Sequence, residues 1–188
     1  MLTRTNHTTR RTTRAPRRGF TLIETALAIV IVGVGVVSIM MAQAAFHQQN
    51  TWSTQASIAT QLGNEIREMT IHLPARDPVT GDLFWGPEPG ELFADFDDLD
   101  DFDGTGTGLL FSADNGDGPV NARREVIDNM DGWSQEVRVF NVNPFNVTDS
   151  TPADGATSTI MVEVVVYFRP VGETDPIEMT TVSWIAPN

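Results

Sequence analysis

Glu24 is the charged residue whose surroundings are the least favourable for a charge. It closes the stretch 17–24, Arg-Arg-Gly-Phe-Thr-Leu-Ile-Glu, and it precedes an apolar run at 26–42 in which Ser38 is the only polar side chain. A carboxylate within an apolar segment is unfavourable by several kcal/mol unless another group pairs with it. We therefore expect Glu24 to have a positively charged partner.

Two clusters of aspartates are the other candidates for a chemical role. The first, 95–104, reads Asp-Phe-Asp-Asp-Leu-Asp-Asp-Phe-Asp-Gly, and the second, 114–118, reads Asp-Asn-Gly-Asp-Gly. Calcium favours several hard oxygen ligands on a tight turn that contains glycine. The pattern is imperfect, because counting back from Gly104 places Leu99 where an EF-type loop needs an oxygen. The candidate calcium ligands are Asp98, Asp100, Asp101, Asp103, Asp114 and Asp117.

The alternative for the first cluster is an acidic loop that is exposed to solvent and binds no cofactor. Its apolar residues recur every three positions, which would pin one helical turn onto the protein and leave the aspartates outside. These apolar residues are Phe93, Phe96, Leu99 and Phe102. Nothing in the sequence indicates a shifted pKa for the carboxylates between them.

Groups for enzymatic catalysis are scarce. The three histidines stand at 7, 47 and 72, there is no cysteine, and no G-x-S-x-G, Walker or H-E-x-x-H motif is present. The absence of cysteine also excludes a disulfide, a thiol nucleophile and a cysteine-based metal site. The sequence therefore predicts a structural protein without catalytic residues.

Positive charge is concentrated at the N-terminus. Every basic residue is arginine, and six of the twelve arginines precede Phe20 with no acidic residue among them. Such a flank places the N-terminus in the cytoplasm and the rest of the chain across the membrane. Without residues 1–19 the chain keeps six arginines against 25 acidic residues, a formal charge of −19. Because this surface repels nucleic acid, we expect no nucleic-acid partner.

A long helix is predicted from Phe20 to about Leu73. The apolar run with its flanks reaches the roughly 20 residues that a membrane-spanning helix needs. Beyond Phe46 the apolar residues continue as a stripe on one side of the helix, and Pro74 ends it. This stripe contains Trp52, Ala59, Leu62, Ile66, Met69 and Leu73. The second half of the helix should therefore pack on a domain.

That domain is predicted to contain an antiparallel sheet, which makes the fold class α+β. Ser134–Val142, Ile160–Phe168 and Ile177–Ile185 have strand character, and the second of these is apolar and β-branched enough to be central. A loop is predicted at Asn143–Ala156. Shorter strands are predicted at 82–85, 109–111 and 124–127.

The N-terminal stretch resembles that of type IV pilins and type II secretion pseudopilins. The resemblance covers residues 17 to about 46 and consists of basic residues, then Gly-Phe-Thr-Leu-Ile-Glu at 19–24, then the apolar helix. It implies that a prepilin peptidase cuts after Gly19 and that the new N-terminal Phe20 is N-methylated. It further implies that Glu24 pairs with the terminal amine of a neighbouring subunit, and that the fold is pilin-like, with the long helix packed on the sheet.

The function implied by this resemblance is that of a minor pilin or pseudopilin, a structural subunit of a type IV pilus or type II secretion-like filament. Its partners would be other subunits, the prepilin peptidase, the inner-membrane assembly platform and membrane lipid. It would cross the inner membrane once, with the N-terminus cytoplasmic and the C-terminal domain periplasmic or extracellular, before joining the filament. The acidic stretch before the strands also resembles minor pilins of the MSHA type. The lack of cysteine departs from the family, in which many members close a C-terminal loop with a disulfide.

The resulting domain organisation has five parts. They are a leader at 1–19, a transmembrane or filament-core half-helix at 20–46, an amphipathic half-helix at 47–73, an acidic variable region at 74–119 and the sheet part of the globular domain at 120–188.

Other interpretations of the N-terminus stay open. Glu24 would also complement the dipole of a helix that begins near it. Residues 16–20 resemble a twin-arginine export signal, for which 42–44, Ala-Gln-Ala, supplies a cleavage pattern. The rival function is accordingly a singly anchored or exported acidic domain that binds calcium or another ligand.

Overall fold

The structure is a computed structural model, and it describes residues 19–77, 79, 85–104 and 106–186. Its regular elements are helix α1 (Leu22–Thr70), a 3₁₀ turn (Asp100–Asp103) and strands β1 (Leu109–Ser112), β2 (Trp133–Asn141), β3 (Ile160–Phe168) and β4 (Ile177–Ile185). The chain divides into two compact units, one that ends at Gln48 and one that begins at Gln49.

Helix α1 begins two residues later and ends three residues earlier than predicted. At its end the chain forms a turn in which the Leu73 amide donates to the Thr70 carbonyl at 3.0 Å. Pro74 follows this turn, and because a residue before proline avoids helical geometry, the regular helix stops ahead of it. In the first unit the large apolar side chains of the helix are all at least half exposed.

The four strands form one antiparallel sheet in the order β1-β2-β3-β4. The apolar, β-branched β3 is an interior strand, as predicted, and pairs with β2 on one side and β4 on the other. Both β3 and β4 have the predicted bounds, and β2 lies one residue earlier than predicted. Strand β2 buries every second side chain, because successive residues of a strand point to opposite faces.

The last turns of α1 pack on this sheet, so the predicted α+β, pilin-like arrangement is confirmed. Ala59, Leu62, Ile66 and Met69 are buried in one apolar core with residues of β2 and β3. Gly63 permits the close approach, since a Cβ atom there would lie 2.7 Å from Cγ2 of Val182. The predicted stripe is shorter than expected at its start, because Trp52 is exposed.

Gln135 joins three parts of this domain through one fully buried side chain. Its Nε2 donates to the carbonyl of Leu62 in α1 at 2.8 Å and to the carbonyl of Val120 at 3.1 Å. Its Oε1 accepts from the Val120 amide at 2.7 Å. A polar side chain on the buried face of β2 therefore satisfies backbone groups that the sheet does not pair.

We expect Gln135→Leu to lower the free energy of unfolding by about 2–4 kcal/mol, because the amide and carbonyl of Val120 would stay buried without a partner. Thermal unfolding of the purified chain in detergent, followed by circular dichroism, measures this loss. Ser183→Leu on β4 is the matched control, since Ser183 is exposed. Equal melting temperatures for Gln135→Leu and the wild type would show that the hydrogen bonds of Gln135 do not stabilise the domain.

Of the three short predicted strands, one is not formed, one is formed and one falls mainly on residues that the structure does not describe. The strand at 124–127 is wrong, since only an isolated bridge between Val120 and Val126 forms there and Arg124 has a φ of 63°. The Asn121 side chain accepts from the amides of Arg123 and Glu125, which folds the segment into a turn instead. Of the strand predicted at 82–85, residues 82–84 lie outside the described residues. Strand β1 matches the prediction at 109–111 and extends it by one residue.

Candidate functional site

The peptide bond between Gly19 and Phe20 lies in exposed, irregular chain just ahead of α1. Helix α1 begins two residues after Phe20, so the backbone at the bond is not committed to helical hydrogen bonds. A Cβ atom added at Gly19 would meet no atom within 4 Å. No contact in the described part of the chain therefore requires glycine at 19.

Glu24 and Thr21 cap the start of α1 reciprocally. The Glu24 amide donates to Thr21 Oγ1 at 3.3 Å, and the Thr21 amide donates to Glu24 Oε2 at 3.5 Å. This is the geometry of a capping box, in which two amide groups at a helix start are satisfied by side chains. The Thr-x-x-Glu spacing at 21–24 is the sequence signal for this cap. Glu24 therefore has a partner within its own chain at the start of the helix.

The helix that carries Glu24 is long and apolar enough to cross a membrane. Its most apolar window of 18 residues has a mean hydropathy of 2.5, and none of that window is buried within the chain. A Cβ atom at Gly33 or Gly35 would meet nothing within 4 Å. An exposed apolar surface of this kind fits anchoring in a membrane at the N-terminal end of the chain.

The second candidate site is the acidic segment, by which we mean residues 85–104. The prediction that its aspartates point outward is wrong for four of the six, since Asp98, Asp100, Asp101 and Asp103 are only 2%, 3%, 1% and 7% exposed, whereas Asp95 and Asp97 are exposed as predicted. The apolar residues do anchor the segment, as predicted. Phe96, Leu99 and Phe102 are buried, and the rings of Phe96 and Phe102 pack edge to face at 5.4 Å.

Two residues at the start of the segment donate hydrogen bonds to buried carboxylates near its end. The Gly86 amide donates to Asp100 Oδ2 at 3.3 Å, and Trp85 Nε1 donates to Asp103 Oδ2 at 3.0 Å. Residues 85 and 86 therefore fold back over the 3₁₀ turn and cover its aspartates. This cover is what the three-residue spacing of the aromatic side chains could not indicate.

Asp101 is joined by hydrogen bonds to two other aspartates of the segment. Its Oδ2 accepts from the amides of Asp97 and Asp98 at 3.0 and 3.3 Å, and its own amide donates to Asp98 Oδ1 at 3.2 Å. Outside the segment, the Arg124 guanidinium donates to the backbone carbonyls of Phe93, Ala94 and Phe96. These three bonds go to the backbone of the segment, and the guanidinium carbon also lies 5.7 Å from the centre of the Phe93 ring.

Burial also raises the pKa values of the buried aspartates in the segment. Loss of solvation raises the pKa of Asp98 to about 8 and the pKa of Asp101 to about 6, with further increases from neighbouring carboxylates. The pKa of Asp100 and that of Asp103 are raised as well, again chiefly by burial. The expectation of unshifted carboxylates is therefore wrong, because it rested on their being exposed.

Asp114 and Asp117 form their hydrogen bonds with residues outside the acidic segment. Asp114 Oδ1 accepts from Arg169 at 2.6 Å, and Asp117 Oδ1 accepts from the Ser112 amide at 3.2 Å. Both side chains are exposed. In the part of the chain that the structure describes, neither belongs to a group of carboxylates close enough to share a metal ion.

Two glutamates that sequence reasoning missed do belong to such a group. One carboxylate oxygen from each of Glu88, Glu91 and Asp101 lies within 4.8 Å of the others, and the same holds for Asp97, Asp98 and Asp101. Glu88 and Glu91 come together in a turn in which the Glu91 amide donates to the Glu88 carbonyl at 3.0 Å. The Pro-Gly pair at 89–90 was a readable signal for this turn.

A comparison with protein families identifies the N-terminal stretch. A family model described as the prokaryotic N-terminal methylation motif matches residues 14–40, which include Gly19, Phe20 and Glu24. No curated protein and no solved structure matches the chain. The family match ends well before the acidic segment, so the finer resemblance to MSHA-type minor pilins, which rests on that segment, stays a prediction.

Proposed function

Because the chain carries the N-terminal signature of type IV pilins and pseudopilins, we propose that it is a structural subunit, a minor pilin or pseudopilin, of a type IV pilus or a type II secretion-like filament. It would be cut after Gly19 by a prepilin peptidase and methylated at Phe20. It would then assemble through its N-terminal helix, with Glu24 bound to the terminal amine of a neighbouring subunit.

The observation that carries this proposal is the arrangement at residues 19–24. An exposed bond after a glycine stands immediately before a long helix whose apolar surface is uncovered and whose first turn holds a carboxylate. Cleavage at that bond would create a positive amine within about one helical turn of the carboxylate position. In an apolar assembly each of these charges is unfavourable alone and favourable as a pair.

The proposed route runs through the inner membrane. The arginine-rich leader would hold the N-terminus in the cytoplasm, where the peptidase acts, and place the acidic domain on the opposite side. The assembly platform and sibling subunits would then extract the helix from lipid into the filament core. This function is structural and uses no catalytic residue of the chain itself.

We expect Gly19→Val to leave the chain as an uncleaved precursor held in the membrane. A side chain at this position would obstruct the peptidase, which must approach the backbone closely at the bond that it cuts. Since a Cβ atom at 19 meets nothing within 4 Å, the change should leave the fold of the chain unaltered. Mass spectrometry of the N-terminus after co-expression with a prepilin peptidase measures the outcome.

Gly33→Val is the matched control, because its Cβ atom also has free space and it lies outside the cleavage sequence. This variant should be cut as efficiently as the wild type and yield a chain that begins with methylated Phe20. Normal processing of Gly19→Val would remove the basis of the proposal. A mature chain that begins after Ala44 would instead support twin-arginine export.

A further inference from the structure

We propose that the acidic segment binds one calcium ion at Asp101, where two groups of carboxylates meet. Asp97, Asp98 and Asp101 form one group, and Glu88, Glu91 and Asp101 form the other, with the oxygens of each group within 4.8 Å of one another. Because these residues lie outside the N-terminal region proposed for assembly, the calcium proposal does not depend on the proposed filament role.

Two buried oxygens in this segment point to a missing partner. Asp100 Oδ1 and Asp101 Oδ1 are shielded from solvent and have no hydrogen-bond partner within the described part of the chain. Asp101 is 1% exposed, and its other oxygen already accepts from two amides. A buried carboxylate oxygen without a donor is strongly unfavourable, whereas a cation beside it supplies the interaction that is lacking.

The charges around Asp101 lead to the same conclusion. None of the ion pairs formed by Arg123, Arg138 and Arg169 includes Asp97, Asp98, Asp100 or Asp101. A divalent cation would neutralise two of these charges at once.

The chemistry of the ligand set favours calcium over other metals. All the ligands are carboxylates, which are hard oxygen donors, and the chain offers no cysteine. Magnesium requires a near-ideal octahedron at about 2.0–2.1 Å and usually retains several waters, so a site built from protein carboxylates suits it less well than calcium.

Calcium titration of the full chain in detergent, after removal of metals with a chelator, tests the site. We expect saturation at one calcium per chain and a melting temperature that rises by about 5 °C or more at saturating calcium. Magnesium at the same concentration should give a clearly smaller rise. An unchanged melting temperature and no binding heat would overturn the proposal, and equal effects of the two ions would overturn the assignment to calcium.

Asp101→Asn tests whether Asp101 is the ligand. The asparagine oxygen can still accept from the Asp97 and Asp98 amides, and its NH₂ group can donate to neighbouring carboxylates. Without calcium this variant should therefore melt at or above the wild-type temperature. Its affinity for calcium should fall by more than about tenfold, because a charged ligand is lost.

Asp95→Asn is the matched control, since it removes one charge from an exposed position in the same segment. It should keep the wild-type calcium response. A wild-type response in Asp101→Asn, or an equal loss of response in both variants, would show that calcium acts elsewhere or only through the net charge of the chain.

Discussion

Glu24→Val is expected to abolish, or nearly abolish, entry of the chain into filaments while leaving cleavage after Gly19 unchanged. Valine removes the charge that would bind the terminal amine of a neighbouring Phe20, and no other group replaces it in apolar surroundings. Membrane insertion should be as efficient as in the wild type or better, because a lone carboxylate disfavours it. Crosslinking of subunits in the membrane measures assembly, and the mass of the mature chain measures processing.

Glu24→Gln separates this ion pair from helix capping. Glutamine can occupy the same place in the capping box and accept from the Thr21 amide, but it carries no charge. We expect it to fail in assembly almost as completely as valine. If the glutamine variant assembles and the valine variant does not, the cap is what the filament needs. If both assemble, Glu24 has no part in assembly.

Ile66→Asp is expected to destabilise the domain by roughly 2–5 kcal/mol, because it buries an unpaired charge and removes a core side chain. Ile66 is fully buried where α1 packs on the sheet. The loss is a large fraction of the stability of an ordinary domain. Thermal unfolding in detergent, followed through tryptophan fluorescence, to which the buried Trp133 contributes, measures it.

Gln61→Asp is the control for this prediction, since Gln61 is exposed on the same helix. It should unfold within about 0.5 kcal/mol of the wild type. If Ile66→Asp melts at the wild-type temperature, the packing of α1 on the sheet does not stabilise this domain.

The elements with a regular pattern of apolar residues were predictable from the sequence. Strand β3 could be bounded to the residue, because its side chains are apolar and largely β-branched, with Glu163 as the single charged residue. The stripe from Ala59 to Met69 predicted the face of α1 that is buried. At the N-terminus, the order of glycine, apolar residues and glutamate was enough to recognise the signature.

What the sequence could not predict are contacts between residues distant along the chain. The burial of Asp100 and Asp103 depends on Trp85 and Gly86 folding back across the 3₁₀ turn, which no local spacing encodes. The bonds of Gln135 to Leu62 and Val120 join residues 73 and 15 positions apart. In each case a polar residue that would be assigned to the surface is buried because distant partners satisfy it.

The cap formed by Thr21 and Glu24 makes polymerisation, as we propose it, an exchange of partners. A lone subunit already satisfies its carboxylate with its own Thr21 amide, at a distance of 3.5 Å. When the amine of a neighbour takes that carboxylate, one bond replaces another, so the electrostatic gain per subunit is the difference between the two. The ion pair would then fix the register between neighbours, while the apolar surface of the helices would supply most of the cohesion. Release of a subunit would return its carboxylate to its own Thr21 amide and would leave only the neighbour's amine in need of a new partner.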